Sequence, residues 1–241
     1  MRKKTVRRAE PDSKSIREPQ QWEFEIAHDL PDVPVLPETL LRLELEAQER
    51  CVDLRAMSDV VLSDLGATVQ ILRLSAVECS DTDRRLTRIQ DCISNLGLSA
   101  CLEAVSAQPV ARDDRYIAIA ETWAHSREIA HYSRQAAEDT PDVNPDEAYL
   151  VGLLHTIGLL PHVLGWYGSA SRSMDPAYAG FQMARKWSLP HFAVEYFREI
   201  DAGGSATPWP EIVHKAHRAA NVTASLCPLE HRTRAKLYRA I

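Results

Sequence analysis

Residues 144–158 read Asn144-Pro145-Asp146-Glu147-Ala148-Tyr149-Leu150-Val151-Gly152-Leu153-Leu154-His155-Thr156-Ile157-Gly158, and this stretch decides the fold. Asn144 can cap a helix, Pro145 suits its first position, and Glu147 stands where a capping-box carboxylate reaches back. Leu150, Val151, Leu153, Leu154 and Ile157 surround the axis instead of forming one stripe, so the helix is expected to be buried on nearly every side. Gly158 is expected to end it. Gly152 costs about 1 kcal/mol of helix propensity relative to alanine, which predicts that a neighbouring helix comes close there. Deep in the run lies one strongly polar side chain, His155.

Outward from this stretch the chain keeps a helical period. Upstream, a long helix is expected from about 113 to 137, with His125, Ile129, Tyr132 and Ala136 along one row. Before it, a proline-punctuated entry (Leu30-Pro31-Asp32-Val33-Pro34-Val35-Leu36-Pro37) leads into a helix whose Leu36, Leu40, Leu43 and Ala47 share a face. Asp53 caps a second with Leu54, Met57, Val61 and Leu65; Val69, Leu72 and Ala76 mark a third, broken from the second near Gly66. Thr87 and Gln90 form a capping box before Ile89, Cys92, Ile93 and Leu96, and Gly97 closes that helix. A short one follows over 99–107. Downstream, 159–168 reads as turn-rich. Asp175 and Pro176 then open a helix carrying Ala179, Phe181, Met183, Ala184 and Trp187. Another spans 191–200. Gly203-Gly204-Ser205 is a flexible link before a helix opened by Pro210 with Ile212, Val213, Ala216, Ala220 and Leu226 inward. A last helix, 228–241, presents Arg232, Arg234, Lys236 and Arg239 as a solvated basic face. No segment sustains strand alternation and no glycine-rich phosphate loop occurs, so the fold class is all-α.

The 241 residues suffice for one large domain or two modest lobes. A formal charge of −6 and a pI near 5.9 argue against general nucleic-acid affinity, which needs lysine and arginine to neutralise phosphates. No apolar run reaches the roughly 18 residues of a membrane span, and no apolar segment follows the basic start Met1-Arg2-Lys3-Lys4, so a cytoplasmic protein is expected. Residues 1–21 are charged and nearly devoid of anything to bury, which predicts a disordered basic tail. Cys51, Cys79, Cys92, Cys101 and Cys227 include no closely spaced pair and read as buried reduced thiols. The five tryptophans, Trp22, Trp123, Trp166, Trp187 and Trp209, read as core or lobe-contact residues.

Several of these stretches together resemble a known family. Leu153-Leu154-His155-Thr156-Ile157-Gly158 is similar to the leucine-leucine-histidine-aspartate-isoleucine-glycine signature of the HD superfamily of metal-dependent phosphohydrolases, and specifically of its HDOD (HD-related output domain) branch. Trp123-Ala124-His125-Ser126 resembles the segment that supplies the superfamily's first metal ligand. Trp187-Ser188-Leu189-Pro190 and Val213-His214-Lys215-Ala216 match later family runs, the second followed by His217. Several positions depart from the pattern: Thr156 replaces the aspartate of the His-Asp pair, Ala76 replaces an asparagine, Glu199-Ile200 stand where relatives carry a histidine pair, and Asp64-Leu65-Gly66-Ala67 stands where the family usually reads aspartate-proline-alanine-leucine. The resemblance implies a two-lobed, HD-like helical bundle over 29–226, with an amino-terminal lobe at 29–107 and an HD-like lobe at 112–226. It also implies a bacterial signalling or gene-regulatory module acting through protein partners, beside cyclic-dinucleotide or two-component systems, with no cofactor.

Two readings of the chemistry stand side by side. Imidazoles from three helices, His125, His155 and His217, can hold zinc with a fourth position open; or they are inherited core polar groups bonded to one another, to Thr156 or to water. A threonine hydroxyl is a poor substitute for an anionic ligand of a hard cation. The expectation is therefore a vestigial pocket of His125, His155, Thr156 and His217, without a catalytic residue or a resident metal, in a chain that is not an enzyme. A phosphohydrolase with a histidine-rich site and a non-hydrolysing nucleotide sensor are the alternatives.

Overall fold

The computed structural model describes residues 30–78, 88–112, 115–166, 175–204 and 206–220. Expectations placed on the tail 1–21, Trp22, Cys79, Thr87, Gly168, Ser205, Leu226, Cys227 and the helix 228–241 lie outside these residues. The described residues contain α-helices and one 3-10 turn, with a single parallel bridge between Val35 and Val110 and no strand. No single helix among them is long and apolar enough to cross a membrane.

The amino-terminal half comprises α1 (Pro37–Gln48), α2 (Leu54–Leu62), α3 (Leu65–Glu78), α4 (Ile89–Leu96) and α5 (Leu98–Ser106), which pack chiefly on one another. Leu36 and Leu43 are buried as the α1 periodicity requires, and the Asp53 carboxylate caps α2 by accepting from Arg55 N–H. Gly97, at φ +83°, lets α4 and α5 meet in a bend that a side chain would strain. The break between α2 and α3 falls at Ser63-Asp64, two residues before Gly66. Its cause is Asp64, whose Oδ1 accepts from Ala67 N–H at 3.1 Å as an N-cap.

The second half comprises α6 (Tyr116–Glu138), α7 (Pro145–Leu154), a 3-10 turn (Ile157–Leu159), α8 (Leu160–Val163), α9 (Pro176–Lys186), α10 (His191–Ala202) and α11 (Trp209–Ala219). α7 lies at its centre, every residue from Ala148 to Leu154 buried, and α6 packs along it most extensively. Asn144 caps α7 by accepting from Asp146 N–H at 2.9 Å. The 159–168 passage is less turn-like than its sequence implied, since it contains α8. Trp123, Trp187 and Trp209 are in the core. Cys92 and Cys101 are buried free thiols, whereas Cys51 is exposed, a correction that follows from its place beyond the end of α1.

The halves are sewn together by a few polar ties. Asp64 Oδ1 accepts from Trp123 Nε1 on α6 at 3.0 Å, and Ala111 N–H, in the segment that connects the halves, donates to Val35 O at 2.8 Å. Arg88, preceding α4, pairs with Asp146 of α7 at 2.9 Å.

Candidate functional site

α7 ends three residues earlier than its apolar run, at Leu154, and that early end builds the site. His155 takes the C-cap position, and its Nδ1 lies 2.6 Å from Gly152 O. A carbonyl can only accept, so this nitrogen carries the proton and Nε2 carries the lone pair. His217 repeats the device on α11, with Nδ1 2.9 Å from Val213 O. Both rings are thereby fixed in tautomer and direction.

His125, on α6, completes a triangle. Ring centroids lie 5.2 Å apart for His125 and His155, 5.4 Å for His125 and His217, and 5.0 Å for His155 and His217. One ring nitrogen from each lies within 4.8 Å of the others. His155 and His217 are buried and His125 is half-buried. His214, three residues before His217, is not in the cluster.

Thr156 is also buried, but its hydroxyl is engaged elsewhere. Its Oγ1 lies 2.6 Å from Ser126 Oγ, a tie between α6 and the turn after α7. Each cluster histidine of these two elements is thus followed by a hydroxyl residue, and the two hydroxyls bond to each other. The resemblance implies a hard divalent cation held partly by carboxylates, and these residues do not fit one. The group that could hold a metal consists of three neutral imidazoles without an aspartate or glutamate.

Burial first, and then the neighbouring His217, pushes the His125 pKa down to about 4. His155 is pushed well below the ordinary histidine range by burial, then by His217 and His125, with the Gly152 carbonyl opposing. Both are neutral at pH 7. In the unfolded chain they bind protons near pH 6.5 and in the folded chain only well below it, so stability is complete above about 6.5 and falls as pH drops toward 4. His125 alone should contribute a loss on the order of 2 kcal/mol after allowance for its partial exposure. Urea denaturation at pH 7 and pH 5 checks this; equal stabilities would contradict it.

Sequence reasoning missed two features. Asp64 is a buried carboxylate at the joint between the halves. Arg55 on α2, Arg88 and Arg134 on α6 converge with Asp59, Asp146 and Tyr149 around a groove of about 210 Å³ between the halves. Arg134 reaches Asp146 at 2.9 Å and stacks on Tyr149 at 4.7 Å. The arginines are scattered over some eighty residues of sequence, so no local motif announces them.

The HDOD domain profile matches residues 33–166. No curated protein matches the sequence. Among solved structures, the chain is similar to the MmoQ response regulator of Methylococcus capsulatus, at 21% identity and a TM-score of 0.66, over 83% of this chain and 92% of that one. It is also similar to a virulence factor of Campylobacter jejuni, at 16% identity and a TM-score of 0.55, over 83% of this chain and 78% of that one. At these identities the likeness is one of fold. The helical architecture, the order of the motifs and a profile match over more than half its length lead to one conclusion: this chain belongs to the HDOD domain family.

Proposed function

We propose that this protein is a non-catalytic bacterial signalling module that acts by binding other proteins. The observation that carries the proposal is the state of Thr156. Where the superfamily's enzymes present a carboxylate to a metal, this chain presents an uncharged hydroxyl already bonded to Ser126. Phosphoester hydrolysis by such enzymes depends on a cation that lowers the pKa of a bound water. A neutral donor set weakens the hold on a hard cation. MmoQ, which shares the fold, is a response regulator, and the signalling role is drawn from that likeness and from family membership.

The groove between the halves is the surface suited to a partner. Its volume of about 210 Å³ lies below the roughly 300–1,000 Å³ of small-molecule sites, which favours a side chain or two of a docked protein over a whole nucleotide. Arg55, Arg88 and Arg134 outnumber Asp59 and Asp146, and Tyr149 offers a ring, a combination common at interface hot spots. An acidic or aromatic segment is the complementary partner. Quantitative capture from cells of origin tests this, comparing wild type with Arg55→Glu and with the control Arg50→Glu outside the groove. A specific partner should be retained by the control and reduced at least about tenfold by Arg55→Glu, equivalent to about 1.4 kcal/mol. Partners equally retained by both variants would contradict the groove assignment.

A further inference from the structure

Three imidazoles in mutual contact inside a helical core are an arrangement that apolar packing does not require. The geometry points to a zinc site: His125, His155 and His217 together hold one Zn²⁺ that ties α6, the turn after α7 and α11. This goes beyond the signalling role proposed above, which requires no metal, and it differs from the carboxylate-rich centre that the superfamily resemblance implies.

Four observations carry it. The three donor nitrogens lie within 4.8 Å of one another, whereas a tetrahedral zinc with bonds of about 2.0–2.1 Å sets its nitrogens about 3.4 Å apart. Small ring rotations span that difference. The Nδ1–H groups of His155 and His217 donate to Gly152 O and Val213 O, the outer bonding by which ligating histidines are oriented and made more basic. His155 Nε2 and both ring nitrogens of His125 are buried with no hydrogen-bond partner among the described residues, and buried nitrogens are ordinarily satisfied. Finally, three neutral imidazoles suit zinc and are poor ligands for Mg²⁺ or Ca²⁺, which demand oxygen. Three protein ligands leave one tetrahedral position for a small ligand.

The test uses the full chain, purified without an affinity tag and stripped with a chelator. Calorimetry should record one Zn²⁺ per chain, and Mg²⁺ at the same concentration should not bind. With zinc a thousandfold above its Kd, Tm should rise on the order of 10 °C. Co²⁺ in place of zinc should give the visible absorption of a tetrahedral nitrogen site in wild type, a readout that needs no variant. His125→Gln changes a half-buried ring with no hydrogen bond to lose; it should keep the fold and lower zinc affinity at least about a hundredfold, as three ligands become two. His155→Asn should do the same. Absence of zinc uptake, or uptake that His125→Gln leaves unchanged, would overturn the assignment, the latter because the ion would then sit elsewhere. Failure here leaves the non-catalytic role intact, whereas zinc uptake with phosphoester turnover would sustain this site and overturn that role.

Discussion

Gly152→Val should lower the stability of the protein by about 3 kcal/mol or more, read as a fall in Tm of roughly 10 °C for a chain of this size. A Cβ built at Gly152 would lie 2.6 Å from Ser133 Oγ, 2.7 Å from Ala130 Cα and 2.9 Å from Ile129 O. The last two atoms belong to the backbone of α6, so no rotamer change relieves the clash and the helices must separate. α6 and α7 are the most extensively packed pair and carry His125 and His155. Prising them apart therefore loosens core and cluster together. Gly97→Ala is the informative comparison: a Cβ there meets nothing within 4 Å, but the backbone sits at φ +83°. It should cost less, about 1–3 kcal/mol, the penalty of a positive-φ extended conformation that is essentially confined to glycine. Equal effects at the two positions, measured by thermal melts, would contradict the close-approach account.

Asp64→Ala should be comparably damaging, at about 3 kcal/mol. The Asp64 carboxyl is fully buried and accepts from Leu36 N–H at 2.8 Å, Ala67 N–H at 3.1 Å and Trp123 Nε1 at 3.0 Å. Burial pushes its pKa up, against the lowering by these donors and by Thr39. Removing the side chain returns part of the desolvation cost but strands these donors inside the protein. Asp64→Asn keeps the shape and one acceptor oxygen but turns an amide toward a donor, and should fall between alanine and wild type. Trp123→Phe removes a single donor and should cost about 1–2 kcal/mol. Chemical denaturation followed by circular dichroism measures all three, and a loss below about 1 kcal/mol for Asp64→Ala would show that the joint does not depend on it.

How much of this was legible beforehand differs by element, and the differences have physical causes. Asp53, Asn144 and Asp175 were readable as caps because capping is local chemistry: an oxygen two or three residues from an orphan N–H. The all-round burial of α7 followed from apolar residues that leave no polar face. The end of α7 was misplaced because the apolar run continues through Ile157, whereas the α-helix stops at Leu154 and the remaining apolar residues enter the 3-10 turn Ile157–Leu159. The α2–α3 break was misplaced for a similar reason. Gly66 looked like the breaker, yet it lies within α3, where a Cβ would strike the Pro34 backbone, and the break belongs to the Asp64 cap.

The cluster itself was legible only through its motifs. His125, His155 and His217 are far apart in sequence, and nothing in their spacing specifies that three rings meet. The Thr156 substitution was visible, but the bond that occupies its hydroxyl was not, because Ser126 stands thirty positions away on another helix. The arginines around the groove could not be read in advance, since convergence of charges from α2, from Arg88 before α4 and from α6 is a product of packing.

The central proposal is that this protein does not hydrolyse phosphate esters, and it rests on Thr156, an uncharged residue tied to Ser126. Steady-state assay of the full chain against nucleotide, cyclic-dinucleotide and generic phosphodiester substrates, with Mg²⁺, Mn²⁺ or Zn²⁺ supplied in turn, tests it most directly. The account predicts no turnover above the protein-free control with any metal, and the same result for His155→Asn. Metal-dependent turnover in wild type that disappears in a folded His155→Asn variant would contradict it.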